Sequence, residues 1–225
     1  MSWFTNLFRR SNIIPVRHRD SLVVANTPRS AISEHFRMIR TAVEAADGEV
    51  KILSVISPST GDGKSVVAAN LAVAFAQQGK ETLYIDANWR RPIGHNIFQL
   101  PDNKQGLTNV VRDEIDFYEL LHAVDGVPIL SVLTAGESPI YPSELLSSKR
   151  MKDFLAEVRE RYDMVIVDTP ALTNFADGQV MAEQSDGSVF VVKNYKTDKK
   201  PLLKAKQIIE QNKINIVGTV FNAVE

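Results

Sequence analysis

The chain has 225 residues, with 26 Lys and Arg against 27 Asp and Glu, a formal net charge of −1. That balance gives no global attraction to nucleic acid, and no nucleic-acid partner is expected. A content of 44% hydrophobic and 24% charged residues excludes intrinsic disorder, collagen and coiled coil as the main state, and no apolar run approaches the roughly 18–20 residues of a membrane span. With no cysteine there is no disulfide framework, Cys-based zinc site or thiol nucleophile, which fits a reducing cytoplasm.

The first ten residues set Trp3, Phe4, Leu7 and Phe8 on one helical side and follow them with Arg9 and Arg10. A secretory signal needs a longer apolar core and a small-residue cleavage site. Residues 1–40 hold seven basic and two acidic side chains. This tip is either a solvated tail or a peripheral contact with an anionic membrane surface or a partner. Residues 1–28 are read as an N-terminal helical arm and residues 29–225 as one domain.

A helix is expected after Pro28, with Ile32, Phe36, Ile39 and Val43 forming one apolar stripe and Gly48 ending it. Strand and helix then alternate. Strands are expected at Val50–Ser57, Leu83–Asp86, Ile129–Thr134, Met164–Asp168, Ser188–Lys193 and Ile214–Phe221. Helices are expected at Lys64–Gln78 and near 108–123, 143–161 and 199–212. Strands that are apolar almost throughout, separated by helices, specify an α/β fold: a mostly parallel twisted sheet with helices on both faces.

The strand at Val50–Ser57 runs into Pro58-Ser59-Thr60-Gly61-Asp62-Gly63-Lys64-Ser65 and then a helix. This is a P-loop in its required setting, so the chain reads as a P-loop NTPase. Gly61 and Gly63 let the backbone turn its N–H groups inward around phosphate oxygens. Thr60, Gly61, Asp62, Gly63, Lys64, Ser65 and Val66 are the expected ATP contacts. Lys64 reaches the β- and γ-phosphates and the Ser65 hydroxyl holds Mg²⁺. Pro58 stands where the pattern usually has its first Gly. Two later strands end in acids, Asp86 and Asp168, on the edge where parallel sheets bind ligands. Each is either a Mg²⁺ or water ligand on a rigid mount or a turn residue.

Several further blocks complete a resemblance to the bacterial tyrosine kinases of capsule and exopolysaccharide assembly. Glu34-His35-Phe36-Arg37-Met38-Ile39-Arg40 is similar to that family's Glu-x-x-Arg-x-x-Arg helix, and Ile85-Asp86-Ala87-Asn88-Trp89-Arg90-Arg91-Pro92 to its second acidic motif. Gly106–Asn109, Ala135–Pro139 and Pro142–Leu146 resemble later blocks, and Asp168-Thr169-Pro170 its Walker B. The resemblance implies ATP- and Mg²⁺-dependent autophosphorylation on tyrosine, with Lys64, Asp86 and Arg90 catalytic and Ser65, Asp86, Asn88 and Asp168 at the metal. It implies a homo-oligomer through Glu34, Arg37 and Arg40, a membrane-embedded modulator as partner, and work at the inner face of the cell membrane through that partner. Read alone, Glu34, Arg37 and Arg40 equally suit a surface helix with an i,i+3 ion pair. Asn88 stands where the family has a second Asp, and an amide cannot act as a base. No tyrosine-rich tail follows the last strand; Tyr84, Tyr118, Tyr141, Tyr162 and Tyr195 are scattered.

Two alternatives stay open on sequence. A nucleotide-binding scaffold of the same machinery is favoured by Asn88. A partitioning-type ATPase resembles this loop but carries a signature Lys where this chain has Ser59. His18, His35, His95 and His122 have no metal-ligand spacing. The basic run Lys193, Lys196, Lys199, Lys200, Lys204 and Lys206 is a solvated helix face or a site for an acidic partner. Trp89 either faces the cleft or packs, and Asn222, after the last strand, either contacts adenine or is a turn residue.

Overall fold

A computed structural model describes residues 13–14, 21–101, 104–193 and 198–223. The basic amphipathic tip at 1–10, His18, Tyr195 and Lys196 lie outside the described residues. In chain order the elements are β1 (Ile13–Ile14), α1 (Val23–Asn26), α2 (Ala31–Glu44), β2 (Ile52–Ile56), α3 (Lys64–Ala76), β3 (Thr82–Asp86), α4 (Gly94–Ile97) and α5 (Leu107–Arg112). A 3₁₀ turn at Phe117–Leu120 leads into β4 (Leu121–Val124) and β5 (Val127–Leu133). Then come α6 (Pro142–Leu146), α7 (Lys149–Arg161), β6 (Met164–Asp168), α8 (Asp177–Glu183), β7 (Gly187–Lys193), α9 (Lys199–Gln211) and β8 (Ile216–Asn222).

Among the described residues the strands form one sheet of order β1-β8-β7-β2-β6-β3-β5-β4. Every neighbouring pair is parallel except β4 with β5. Alternate residues of the central strands face opposite ways, as the pleat requires. Leu53, Val55, Tyr84, Ile166 and Val189 pack against α2 and α3, while Leu83, Ile85, Val165 and Val167 pack against α5, α7 and α8. Ile56, Phe190 and Val192 meet α9. This is the expected α/β sheet with helices on both faces.

Helix α3 is buried on nearly all sides, as its continuous apolar composition requires. Helix α2 starts at Ser30, whose side chain accepts the Ser33 N–H at 3.2 Å. The stripe Ile32, Phe36, Ile39 and Val43 joins the core. Residues Leu22–Asn26, placed in the arm from sequence, also join the packed body. The Val24 N–H donates to Asn70 Oδ1 at 2.9 Å, and Asn70 Nδ2 donates to the Ser21 carbonyl at 2.6 Å.

Two expected helices are divided. The stretch near 108–123 is α5, the 3₁₀ turn and the edge strand β4, which folds back on β5 through Asp125-Gly126. Gly126 takes a φ of 75°, which an Asp-Gly hairpin turn requires. The stretch near 143–161 breaks at Ser147-Ser148. The Ser148 side chain accepts the Met151 N–H at 3.2 Å and so starts α7 afresh.

Candidate active site

The sheet's carboxyl edge carries the site. After β2 the chain turns through Gly61 and Gly63, both with positive φ, and enters α3 at Lys64. Gly63 is needed for a second reason: a Cβ there would collide with the Asn222 side chain. Asn222, at the end of β8, donates from Nδ2 to the Asp62 carbonyl at 3.0 Å. Asp62 Oδ2 in turn accepts the Ser59 N–H at 2.8 Å. The loop is thus braced from inside and from the neighbouring strand end.

Lys64 and Ser65 are buried at the first turn of α3. Burial pulls the Lys64 ammonium below its ordinary value, and the nearby carboxylates of Asp168 and Asp62 oppose that fall. Asp86 and Asp168 are directly paired in the β3–β6 register and both are fully buried. Burial, then the charge of Asp168, raises Asp86 to about 8. Burial also raises Asp168, with Lys64 and the Ser65 hydroxyl restraining it. Two carboxyls this close and this dry resist joint ionisation unless positive charge joins them.

The two acids are held differently. Asp86 accepts backbone N–H groups on both oxygens, from Asn88 at 3.0 Å and Gly94 at 2.9 Å. Asp168 Oδ2 accepts the Tyr84 hydroxyl at 3.4 Å, while Oδ1 is buried without a hydrogen-bond partner among the described residues. A hydroxyl, an amide and two carboxyls, one with an orphaned buried oxygen, are the hard donor set that Mg²⁺ takes together with substrate phosphates and water. The residues fit that ion.

A cavity of about 330 Å³ opens over the loop, bounded by Thr60, Gly61, Gly63, Lys64, Ser65 and Val66 and closed by Asn88 and Asn222. Ser21, Arg91, Ile93 and Lys193 complete it. These four were not singled out as site residues. Arg91 stood beside the second acidic motif and Lys193 opened the basic run, but Ser21 and Ile93 carried no chemical signal.

Arg90 is held to the side. Its Nε donates to Asp177 Oδ2 at 2.9 Å, Asp177 also accepts the Ser143 hydroxyl, and the guanidinium lies 4.3 Å over the Phe175 ring. Asp177 escaped sequence analysis because α8 has too few turns to show a period. Trp89 is packed, donating from Nε1 to the Ala135 carbonyl at 2.8 Å. Away from the site, Arg37 pairs with Glu34 at 2.7 Å and also donates to the Pro28 carbonyl. Arg40 donates to the Ala74 carbonyl in the last turn of α3 at 2.8 Å.

Comparison with known proteins narrows the class. The ParA family, described as NUBPL iron-transfer P-loop NTPase, matches residues 49–224. The tyrosine-protein kinase YwqD of Bacillus subtilis is 41% identical over 208 residues, 92% of this chain and 87% of that protein. The putative tyrosine-protein kinase CapB of Staphylococcus aureus is 36% identical, over 89% of this chain and 88% of that protein. Among solved structures, the chimerical protein CapA2B2 superposes with a TM-score of 0.90 at 34% identity, covering 97% of this chain and 96% of that one. The kinase domain of Escherichia coli tyrosine kinase ETK gives 0.84 at 28%, covering 94% and 89%. MinD from Pyrococcus horikoshii gives 0.64 at 17% over 76% of this chain and 70% of that one, a likeness of fold.

Proposed function

The chain belongs to the bacterial tyrosine kinases within the ParA-type P-loop NTPases, and on that premise we propose that it transfers the γ-phosphoryl group of Mg·ATP to protein tyrosine in the control of capsular or exopolysaccharide synthesis. The observation that carries the reading is the Asp86–Asp168 pair, set on adjacent strand ends beside a braced P-loop.

The amides of Thr60–Val66 and the Lys64 ammonium hold the phosphates, as a desolvated cation and inward N–H groups do best. Asn222 borders the adenine side. Ser65, Asp86, Asn88 and Asp168 would hold the metal, which would supply neutralisation of phosphate charge. Asp86 receives the phenolic proton of the acceptor, and Asp177 keeps Arg90 beside the route by which a tyrosine enters. Burial keeps water from competing for the phosphoryl group.

Glu34, Arg37 and Arg40 form the homo-oligomer contact, and a membrane-embedded modulator brings the chain to the inner face of the cell membrane. The described residues hold no helix long and apolar enough to cross a membrane. The test is incubation with Mg·ATP, the modulator's cytoplasmic segment and a tyrosine peptide. Phosphotyrosine on the peptide, lost in Lys64→Met, supports the kinase. Phosphate release alone would make the chain an ATPase, and nucleotide binding without turnover would make it a scaffold.

A further inference from the structure

A tyrosine kinase that acts on its own chain needs a tyrosine it can reach. Tyr84 is fully buried with its hydroxyl on Asp168. The Tyr118 hydroxyl accepts Arg161 Nη1 at 2.6 Å, its ring is stacked on Phe117 at 4.3 Å, and the Arg161 guanidinium lies 4.9 Å from the ring centre. Tyr162 is half-buried. Tyr141 differs from all three. It is 68% exposed, its neighbour Ile140 is 85% exposed, and its hydroxyl has no hydrogen-bond partner among the described residues.

Resting on the kinase reading above, we propose that Tyr141 is a phosphorylation site, modified in trans by a second copy of this chain. The backbone presents it for that purpose. Pro142 follows it and keeps Tyr141 out of the α region, with φ −122°. The segment Glu137–Tyr141 is exposed at every position except half-buried Pro139. The segment is also fastened beyond the tyrosine, because Pro142 is buried and the Leu145 N–H donates to the Tyr141 carbonyl at 3.2 Å.

That anchoring decides for trans. Tyr141 does not line the nucleotide cavity of its own chain, and the segment that follows it is tied to α8 by the Ser143–Asp177 hydrogen bond. The surface opposite suits it. The Tyr141 segment is flanked by exposed Glu137 and Glu144, whereas exposed Arg91 lines the nucleotide cavity and exposed Arg90, paired with Asp177, lies over the half-exposed Phe175 ring. Acid meets base, and Ile140 and the Tyr141 ring have an aromatic face to pack on.

In the step, the Tyr141 phenolic oxygen of one copy bonds to the γ-phosphorus of ATP held by the other. The bond from that phosphorus to the β–γ bridging oxygen breaks, ADP leaves, and the phenolic proton passes to Asp86 and then to solvent. The product is a phosphomonoester carrying about −1.5 to −2 charges at neutral pH.

The experiment mixes Tyr141→Phe chain, which retains the catalytic machinery, with Lys64→Met chain, which retains Tyr141, in Mg·ATP with the modulator's cytoplasmic segment. Glutamyl endopeptidase releases Ser138–Glu144, in which Tyr141 is the one tyrosine. This peptide is expected to gain 80 Da, the mass of one HPO₃ group, in the Lys64→Met chain, at a rate that rises with total protein concentration. A separate tyrosine peptide in the same tube reports the kinase. If it is phosphorylated while Ser138–Glu144 stays unmodified, the Tyr141 proposal is overturned and the kinase stands. If neither is phosphorylated, the kinase reading itself falls. Wild-type chain that modifies Tyr141 at a rate independent of concentration, with none in the mixture, overturns transfer in trans.

Discussion

Asp86 and Asp168 show how one residue type takes two roles from two surroundings. Asp86 is fixed in position by the Asn88 and Gly94 amides, which favour its charged form, while burial and the charge of Asp168 outweigh them and raise its proton affinity. Asp168 keeps one oxygen unpartnered, so it is the better mount for a cation or its water. Asp86→Asn is therefore expected to lower the phosphotransfer rate by about 10²–10⁴-fold, the usual worth of a general base, while ATP affinity changes little. Parallel rate and nucleotide-binding measurements check it; an equal fall in both would make Asp86 a ligand-holding residue. Asn88 accepts the Arg91 N–H at 3.3 Å through its amide oxygen, a turn contact that a carboxylate would also make. Asn88→Asp should thus keep the fold and add an anion to the proposed metal site. Mg²⁺ is expected to half-saturate the activity at lower concentration, read from a Mg²⁺ titration.

The elements vary in how plainly the residues announce them. The central strands and α3 are legible because their apolar runs are continuous and their ends carry Gly or Asp. β4 is not, because Leu120, Leu121 and Val124 suit a helix as well as a strand, and only Asp125-Gly126 marks the reversal. The P-loop, Asp86 and Asp168 are legible from strand-end chemistry. The Asp177–Arg90–Phe175 group is not, since it joins segments more than 80 residues apart. α2 makes the same point from the other side. Its apolar stripe is readable, yet Arg40 turns back to the Ala74 carbonyl, using one of the orphan acceptors at the end of α3. Arg40→Ala is expected to cost about 1.5–3 kcal/mol, the range for a charged hydrogen bond, measured by urea unfolding in conditions where the chain is monomeric. No loss there would place the whole value of Arg40 in contacts between subunits.

On the scale of the whole molecule, the buried acid pair makes stability depend on pH. Both carboxyls have folded values raised above the unfolded range of about 4, Asp86 to about 8 and Asp168 to about 6. The folded chain then binds more protons than the unfolded one across that window, so this contribution is present below pH 4 and is lost as pH rises through 6 and 8. Chelator-treated protein should show a urea midpoint that falls between pH 5.5 and 8.5 less steeply in Asp86→Asn than in wild type. The assembly is a second property at this scale. Replacing Glu34, Arg37 and Arg40 together by Ala is expected to lower the mass seen by light scattering in the presence of the modulator's cytoplasmic segment. A wild-type chain that stays monomeric there would remove the oligomer contact. The sheet order has a further consequence, in time. β2 carries the phosphate loop near the front of the chain, but its neighbours are β6 and β7, and its brace, Asn222, ends β8. A ribosome adding ~5–20 residues per second takes on the order of 5–20 s to go from Ser65 to Asp168. Through that interval the loop exists without the strands and the acid that give it shape, so a nascent chain halted before Asp168 should not retain an ATP analogue, and nucleotide capture becomes a mark of completed synthesis.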